Sequence, residues 1–138
     1  MAILTRLYRV VLDYTSLIPK IAKPEELDDI VKWLAILHAL QIQTQAMIDL
    51  VTRFASLLGY APSTPIEAIE FLVREKVLSD EEAKFLRKVV GFRNVVVHEY
   101  QSVNRTIVAE ILMDRKYLEL AKLAKKLVDK AKRRGLDP

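Results

Sequence analysis

The chain has 138 residues, 51% of them hydrophobic and 29% charged, a balance that excludes a disordered segment and fits one globular domain. It contains no cysteine, which excludes disulfide staples, thiolate metal sites and a cysteine nucleophile together. The net charge of +4 is uneven: residues 115–138 hold nine Lys or Arg against three Asp or Glu, whereas residues 1–114 are net −2.

Three glycines and five prolines leave room for long helices and argue against many short strands. The first helix is expected from Ala2 to about Leu17, stopping before Pro19. Its Arg6, Arg9 and Asp13 fall where a signal peptide needs an apolar run, and no apolar run approaches a membrane span. The expectation is a soluble, cytoplasmic protein without a membrane partner.

Pro24 opens a second predicted helix. Glu25, Glu26, Asp28 and Asp29 crowd its first turns, where the helix dipole favours anions. No Gly or Pro interrupts it before Gly59, which gives one helix of more than thirty residues. One apolar stripe of that helix is Leu27, Ile30, Val31, Leu34, Ile48, Val51, Ala55 and Leu58; a neighbouring one is Trp33, Leu37, Leu40, Met47, Leu50, Phe54 and Leu57. An arc this wide needs more cover than one partner helix supplies, and a second copy of the chain is the simplest source. His38, Gln41 and Gln45 interrupt the first stripe at spacings of three and four. They read either as satisfied polar groups of a core or interface, or as the wall of a site.

Two capping boxes follow. Thr64-Pro65-Ile66-Glu67 starts a short helix to about Lys76, and Ser79-Asp80-Glu81-Glu82 starts another through Arg93. Asn104 caps a last helix to Arg134, with Ile107, Ile111, Leu112, Leu118, Ala121, Leu127 and Val128 as core candidates. Val95-Val96-Val97 is β-branched but sits in a helical frame, and no strand alternation occurs. The predicted fold is all-α: an antiparallel bundle of four to five helices, one very long, that dimerises. It forms a single domain over residues 1–138, with a basic helix end at about 122–138. The cations from Lys122 to Arg134 either steer a nucleic acid or form a solvated face.

The catalytic inventory is short: two histidines, His38 and His98, with no glycine-rich phosphate loop and no HExxH helix. One segment stands apart, Gly91-Phe92-Arg93-Asn94-Val95-Val96-Val97-His98-Glu99-Tyr100. On a continuous helix Asn94 and His98 share a face, whereas Arg93 and His98 point about 140° apart. The latter two meet on one substrate only if the helix ends near Val97 or if two protomers present the segment to a shared cleft. RNA cleavage without a metal needs a base for the ribose 2′-hydroxyl, an acid for the leaving oxygen and a cation for the phosphorane. Histidine titrates in the range for proton transfer, arginine stays charged and forks onto phosphate, and asparagine fixes either by hydrogen bonds. No step requires a cofactor or a metal. The same residues also admit a structural reading, with Arg93 paired to a carboxylate and His98 at a helix C-terminus.

The stretch Arg93-Asn94 with His98 and Tyr100 resembles the HEPN superfamily signature, in which an arginine is followed after four to six residues by a histidine. It is specifically similar to HepT-type toxins, small all-α dimers encoded beside a minimal nucleotidyltransferase antitoxin of the MntA type. Further likeness lies in Ile48-Asp49-Leu50 at the end of the long helix, the Pro62-to-Glu67 turn, and Gly91 leading into Arg93. The resemblance implies a metal-independent ribonuclease toxin acting on RNA, usually tRNA. It implies that Arg93 and His98 are the catalytic pair and that Asn94 helps to place the phosphate. Tyr100 would be the tyrosine that the partner nucleotidyltransferase silences with AMP. The competing function is a non-catalytic module that binds nucleotide or docks a nucleotidyltransferase.

Overall fold

Capping chemistry sets most of the helix boundaries. The computed structural model describes residues 2–136, which form six α-helices and no strand: α1 (Ile3–Ile21), α2 (Ile30–Leu57), α3 (Pro65–Arg74), α4 (Asp80–His98), α5 (Arg105–Met113) and α6 (Lys116–Arg133). Single 3-10 turns occupy Pro24–Glu26 and Tyr100–Ser102. The all-α expectation holds, with one helix more than expected.

Four boundaries differ from the sequence reading, among them the end of α4, which runs through His98 rather than stopping at Arg93. The first helix runs through Pro19 to Ile21. Proline there forfeits one hydrogen bond, but Ile18 is fully buried and Ala22 nearly so, in a cluster with Leu27, Trp33 and Leu37, and that packing outweighs the lost bond. The long helix begins at Ile30 rather than beside Pro24. Asp29 is its N-cap, with Oδ1 accepting from the Val31 and Lys32 amides at 3.0 and 3.1 Å. Glu25 and Glu26 lie in the preceding 3-10 turn instead, where Glu26 pairs with Lys32. At the other end Gly59, at φ +90°, allows the Tyr60 amide to reach the Ala55 carbonyl (3.1 Å) and the Gly59 amide to reach that of Ser56 (3.0 Å), closing the helix as expected.

The expected last helix is two. Arg115 adopts a left-handed conformation (φ 53°, ψ 42°) between Met113 and Lys116. That costs about 1–2 kcal/mol for a residue with a Cβ. The bend lets Val108 and Leu112 join the cluster around Trp33 while Leu120, Leu127 and Val128 join the main core. It also leaves Ile107 and Leu118, expected in the core, exposed.

The two clusters are threaded by α2. Leu4, Val11, Leu50, Phe54, Leu72, Leu86 and Leu127 make the larger one; Ile18, Ile36, Leu37, Val96 and Tyr117 belong to the other. Between Leu40 and Met47, where one gives way to the other, Gln43 is buried and its Nε2 donates to Thr15 Oγ1 (2.9 Å) and the Tyr117 carbonyl (3.0 Å). This polar joint ties α1, α2 and α6 in a single register. By length and composition α2 is apolar enough to cross a membrane, but 61% of its most apolar stretch is buried inside the protein, as in a core helix.

Candidate active site where α2 meets α4

The Ser79 capping box fixes the start of α4: the Ser79 amide donates to Glu82 Oε1 (2.9 Å) and the Glu82 amide to Ser79 Oγ (3.1 Å). The helix then runs unbroken for 19 residues, carrying Gly91 in its interior, and ends at His98. Glu99 leaves it at φ −132°, ψ 47°, with its amide still bonded to the Val95 carbonyl (2.8 Å). Val96, buried against the cluster around Trp33, anchors this last turn.

The unbroken helix decides the geometry. Arg93 faces α2, half-buried, and its Nη1 donates to Gln45 Oε1 at 2.8 Å. Its Nε is buried, without a hydrogen-bond partner among the described residues. Asn94 and His98 lie exposed on another face, one turn apart. Tyr100 opens the following 3-10 turn with its side chain exposed. The structure thus brings Asn94, His98 and Tyr100 to one end of α4 but does not bring Arg93 to His98 within the chain. Among the described residues no carboxylate pairs with Arg93, unlike the first half of the structural reading, whereas His98 does sit at a helix C-terminus, as its second half has it.

Of His38, Gln41 and Gln45, which the sequence left undecided, Gln45 is the one that contacts Arg93. It also donates through Nε2 to Asp49 Oδ1 (2.9 Å). The available signal was its spacing from His38 and Gln41, which places all three on one face of α2; His38 is exposed and Gln41 half-buried. The two helices run antiparallel, because Gln45 meets Arg93 while Ile48 and Val51 line a small void with Leu86 and Val90. Toward the start of α2 the same face carries Val31 and Leu34, which are 72% and 44% exposed, and toward the end of α4 Val97, one turn past Arg93, is 43% exposed. Among the described residues, exposed apolar side chains on α2 and α4 therefore form the uncovered seam of this region, with Val97 one turn from Arg93.

Two other features lie away from this point. A cleft of about 930 Å³ opens between α4 and the α5–α6 segment, with Phe85, Phe92 and Leu123 in its walls and Leu40 in its floor; neither Arg93 nor His98 lines it. The basic end of α6 meets the opposite end of α4: Lys126 pairs with Glu82 (2.6 Å) and Lys130 donates to the Val77 carbonyl (2.7 Å). Burial holds the Lys130 ammonium below its ordinary range. Lys125 pairs with Asp129 (2.9 Å). Glu82 and Arg93 are about 16 Å apart along the helix axis, roughly two screening lengths at physiological salt. Among the described residues no cluster of His, Asp and Glu has the makings of a metal site.

Residues 11–127 match the protein family described as Ribonuclease HepT-like. An Archaeoglobus fulgidus protein, provisionally named an RNase, is 27% identical over 106 residues, which cover 75% of this chain and 80% of that protein. Among solved structures, the fold is similar to a tri-AMPylated Shewanella oneidensis HEPN toxin in complex with an MNT antitoxin (19% identity, TM-score 0.78, 89% of this chain and 96% of that one). It is also similar to YutE, a cytosolic Bacillus subtilis protein of unknown function (15% identity, TM-score 0.76, 97% of this chain and 93% of that one). At these identities the two structures speak to the fold alone.

Proposed function

This chain belongs to the HepT-like ribonuclease family, and on that footing we propose that it is a metal-independent endoribonuclease, the toxin of a toxin–antitoxin pair. It works in the cytoplasm as a homodimer and cleaves RNA, with tRNA as the substrate class. The observation that carries this reading is the continuity of α4 through His98, with Arg93 on one side, His98 on another and an uncovered apolar seam alongside. A second copy seated on that seam supplies the Arg93 or the His98 that each copy lacks on its own face.

In such a cleft the His98 imidazole takes the proton of the ribose 2′-hydroxyl, and the 2′ oxygen bonds to phosphorus. Arg93, which does not deprotonate, stabilises the charge that gathers on the non-bridging oxygens. The bond from phosphorus to the 5′ oxygen then breaks and His98 returns the proton to that oxygen. The products are a 2′,3′-cyclic phosphate and a free 5′ hydroxyl. Asn94, one turn before His98 on the same face, holds the phosphate or the imidazole in place.

Tyr100 is the point of control. Its side chain is 41% exposed, two residues past His98, where a nucleotidyltransferase partner has access to the phenol. Transfer of AMP from ATP forms the bond from Tyr100 Oη to the α-phosphorus, expels pyrophosphate and releases the phenolic proton. The modification places bulk and negative charge beside a site built for RNA phosphate. The cations of α6 hold a long RNA flank rather than the scissile phosphate, because they lie at the far end of α4.

The test is cleavage of bulk tRNA by purified protein in excess EDTA, with folded His98→Ala alongside. Cleavage that the variant loses is the expected result. No cleavage by unmodified, folded wild-type protein would overturn the reading in favour of a docking module for a nucleotidyltransferase.

A further inference from the structure

Among the described residues the partner of the Arg93 guanidinium is a neutral amide: Arg93 Nη1 donates to Gln45 Oε1 at 2.8 Å, and Gln45 Nε2 donates to Asp49 Oδ1 at 2.9 Å. These two bonds admit one orientation of the amide, since a guanidinium only donates and a carboxylate only accepts. Gln45 and Asp49 are one turn apart on α2, so the chain of bonds has a direction. Asp49, exposed at one end, sets the amide, and the amide sets the guanidinium. A carboxylate at position 45 would hold Arg93 more firmly but would also occupy its charge. The amide holds it and leaves the positive charge for an anion, and the unpartnered Nε–H shows that the described residues do not saturate the donors of Arg93.

Resting on the nuclease reading above, we propose that Gln45 is the positioning residue for Arg93, with Asp49 fixing Gln45. Both sit on α2, 44 or more residues before the Arg93–His98 stretch, and neither touches the scissile phosphate. Their work is to hold a charge at the correct point without neutralising it.

Three variants test this: Gln45→Met, which keeps length but cannot accept; Gln45→Glu, which accepts with a charge; and Asp49→Leu, which frees the amide. The first readout is NMR of the Arg93 guanidinium without RNA. Restricted rotation, with separate Nη signals, is expected in the wild type and in Gln45→Glu. Averaged signals are expected in Gln45→Met and partial averaging in Asp49→Leu. The second readout is RNA cleavage. Gln45→Met and Gln45→Glu should each lower kcat about 10- to 100-fold with KM nearly unchanged, the first by misplacing the guanidinium and the second by neutralising it. A merely structural Gln45 predicts the reverse for Gln45→Glu, which would keep the contact and the activity together. Signals of Arg93 that stay separate in Gln45→Met overturn the proposal, as does Gln45→Met cleavage within about two-fold of wild type, set against the 10-fold floor expected for misplacement. If wild-type protein cleaves no RNA, the nuclease reading fails, while the NMR signals still decide whether Gln45 holds Arg93. Should Gln45→Met not fold, Asp49→Leu and Gln45→Glu, read against each other, give the same decision.

Discussion

A site shared between two copies makes a quantitative prediction for mixed dimers. Arg93 and His98 are five residues apart on an unbroken helix, so their directions diverge by about 140° and their Cα atoms differ by about 7.5 Å along the axis. Their side-chain ends are on the order of 12 Å apart, too far to act on one phosphorus atom. Arg93→Ala and His98→Ala homodimers should each lose at least about 100-fold in activity, the scale for removing a charge-stabilising donor or a general base. When the two variants are unfolded, mixed in equal amounts and refolded, half of the dimers are mixed. Each mixed dimer holds one site with both residues and one with neither. Cleavage of tRNA in EDTA should therefore return to roughly a quarter of the wild-type rate, as random pairing across a two-fold interface requires. Differently tagged chains, purified through both tags, should reach about half. Mixed dimers as inactive as the parents, with heterodimer formation shown by both tags, would refute the shared site.

The remaining predictions concern the seam, the control point and stability. Leu34→Asp should weaken self-association more than 100-fold in sedimentation velocity, because two copies each lose about 1.5–3 kcal/mol of apolar burial; an unchanged dimer would place the interface elsewhere. Tyr100→Phe should keep nuclease activity and lose AMP transfer, read as the absence of the AMP mass increment after incubation with nucleotidyltransferase and ATP. Burial alone would raise the Glu82 carboxyl, but its bonds to Lys126 and to the Ser79 amide outweigh that and hold it below its ordinary 4.5. Its stabilising contribution is then complete above about pH 4.5 and lost as pH falls through the lower folded value, so Glu82→Gln should flatten that part of the stability curve in denaturant titrations. Gly91→Ala should raise stability by about 0.5–1 kcal/mol, since Gly91 is interior to α4 and its missing Cβ would meet no atom within 4 Å; a loss of stability would mean that this space is filled in the dimer.

Helix punctuation was legible where a side chain acts on its own neighbours. Ser79 with Glu82, Asn104 and Gly59 do in the fold what their residue types announce. Thr64 caps the Glu67 amide (3.2 Å), although Glu67 turns back to Ser63 rather than completing the box. The start of α2 was a choice between two local signals, Pro24 and the Asp29 cap, and the cap decided it; at Pro19 and Arg115 a distant contact outweighs a local rule. Pro19 should end a helix, but Ile18 and Ala22 have a cluster to fill. Arg115 has no Gly or Pro beside it to announce a break, and the break exists because α6 packs on α1 while Val108 and Leu112 pack beside Trp33. Arg105 secures that arrangement by bonding to the Leu27 carbonyl and lying over the Trp33 ring, a pairing of residues 72 apart that no local pattern encodes.

For the site, Arg93, Asn94, His98 and Tyr100 stood out because they are close in sequence, whereas Gln45 was legible only as an undecided polar position on α2, and its bonds to Arg93 and Asp49 were hidden because Arg93 is 48 residues away. The same contrast explains why the interval between Arg93 and His98 is an odd one for a helix. Two groups that cooperate within a single helix belong at spacings of three, four or seven, where they share a face. A spacing of five is among the poorest for that purpose. It becomes harmless once the two groups serve different clefts or arrive from different chains, because the relevant distance is then set by how two copies of α4 cross and not by the helical repeat. On the same argument four to six intervening residues are tolerable as a signature, since each added residue rotates the histidine relative to its own arginine by about 100° while a partner helix reads only the position of the exposed end. The constraint moves to what must hold Arg93 in place inside its own chain, which is the α2 contact through Gln45.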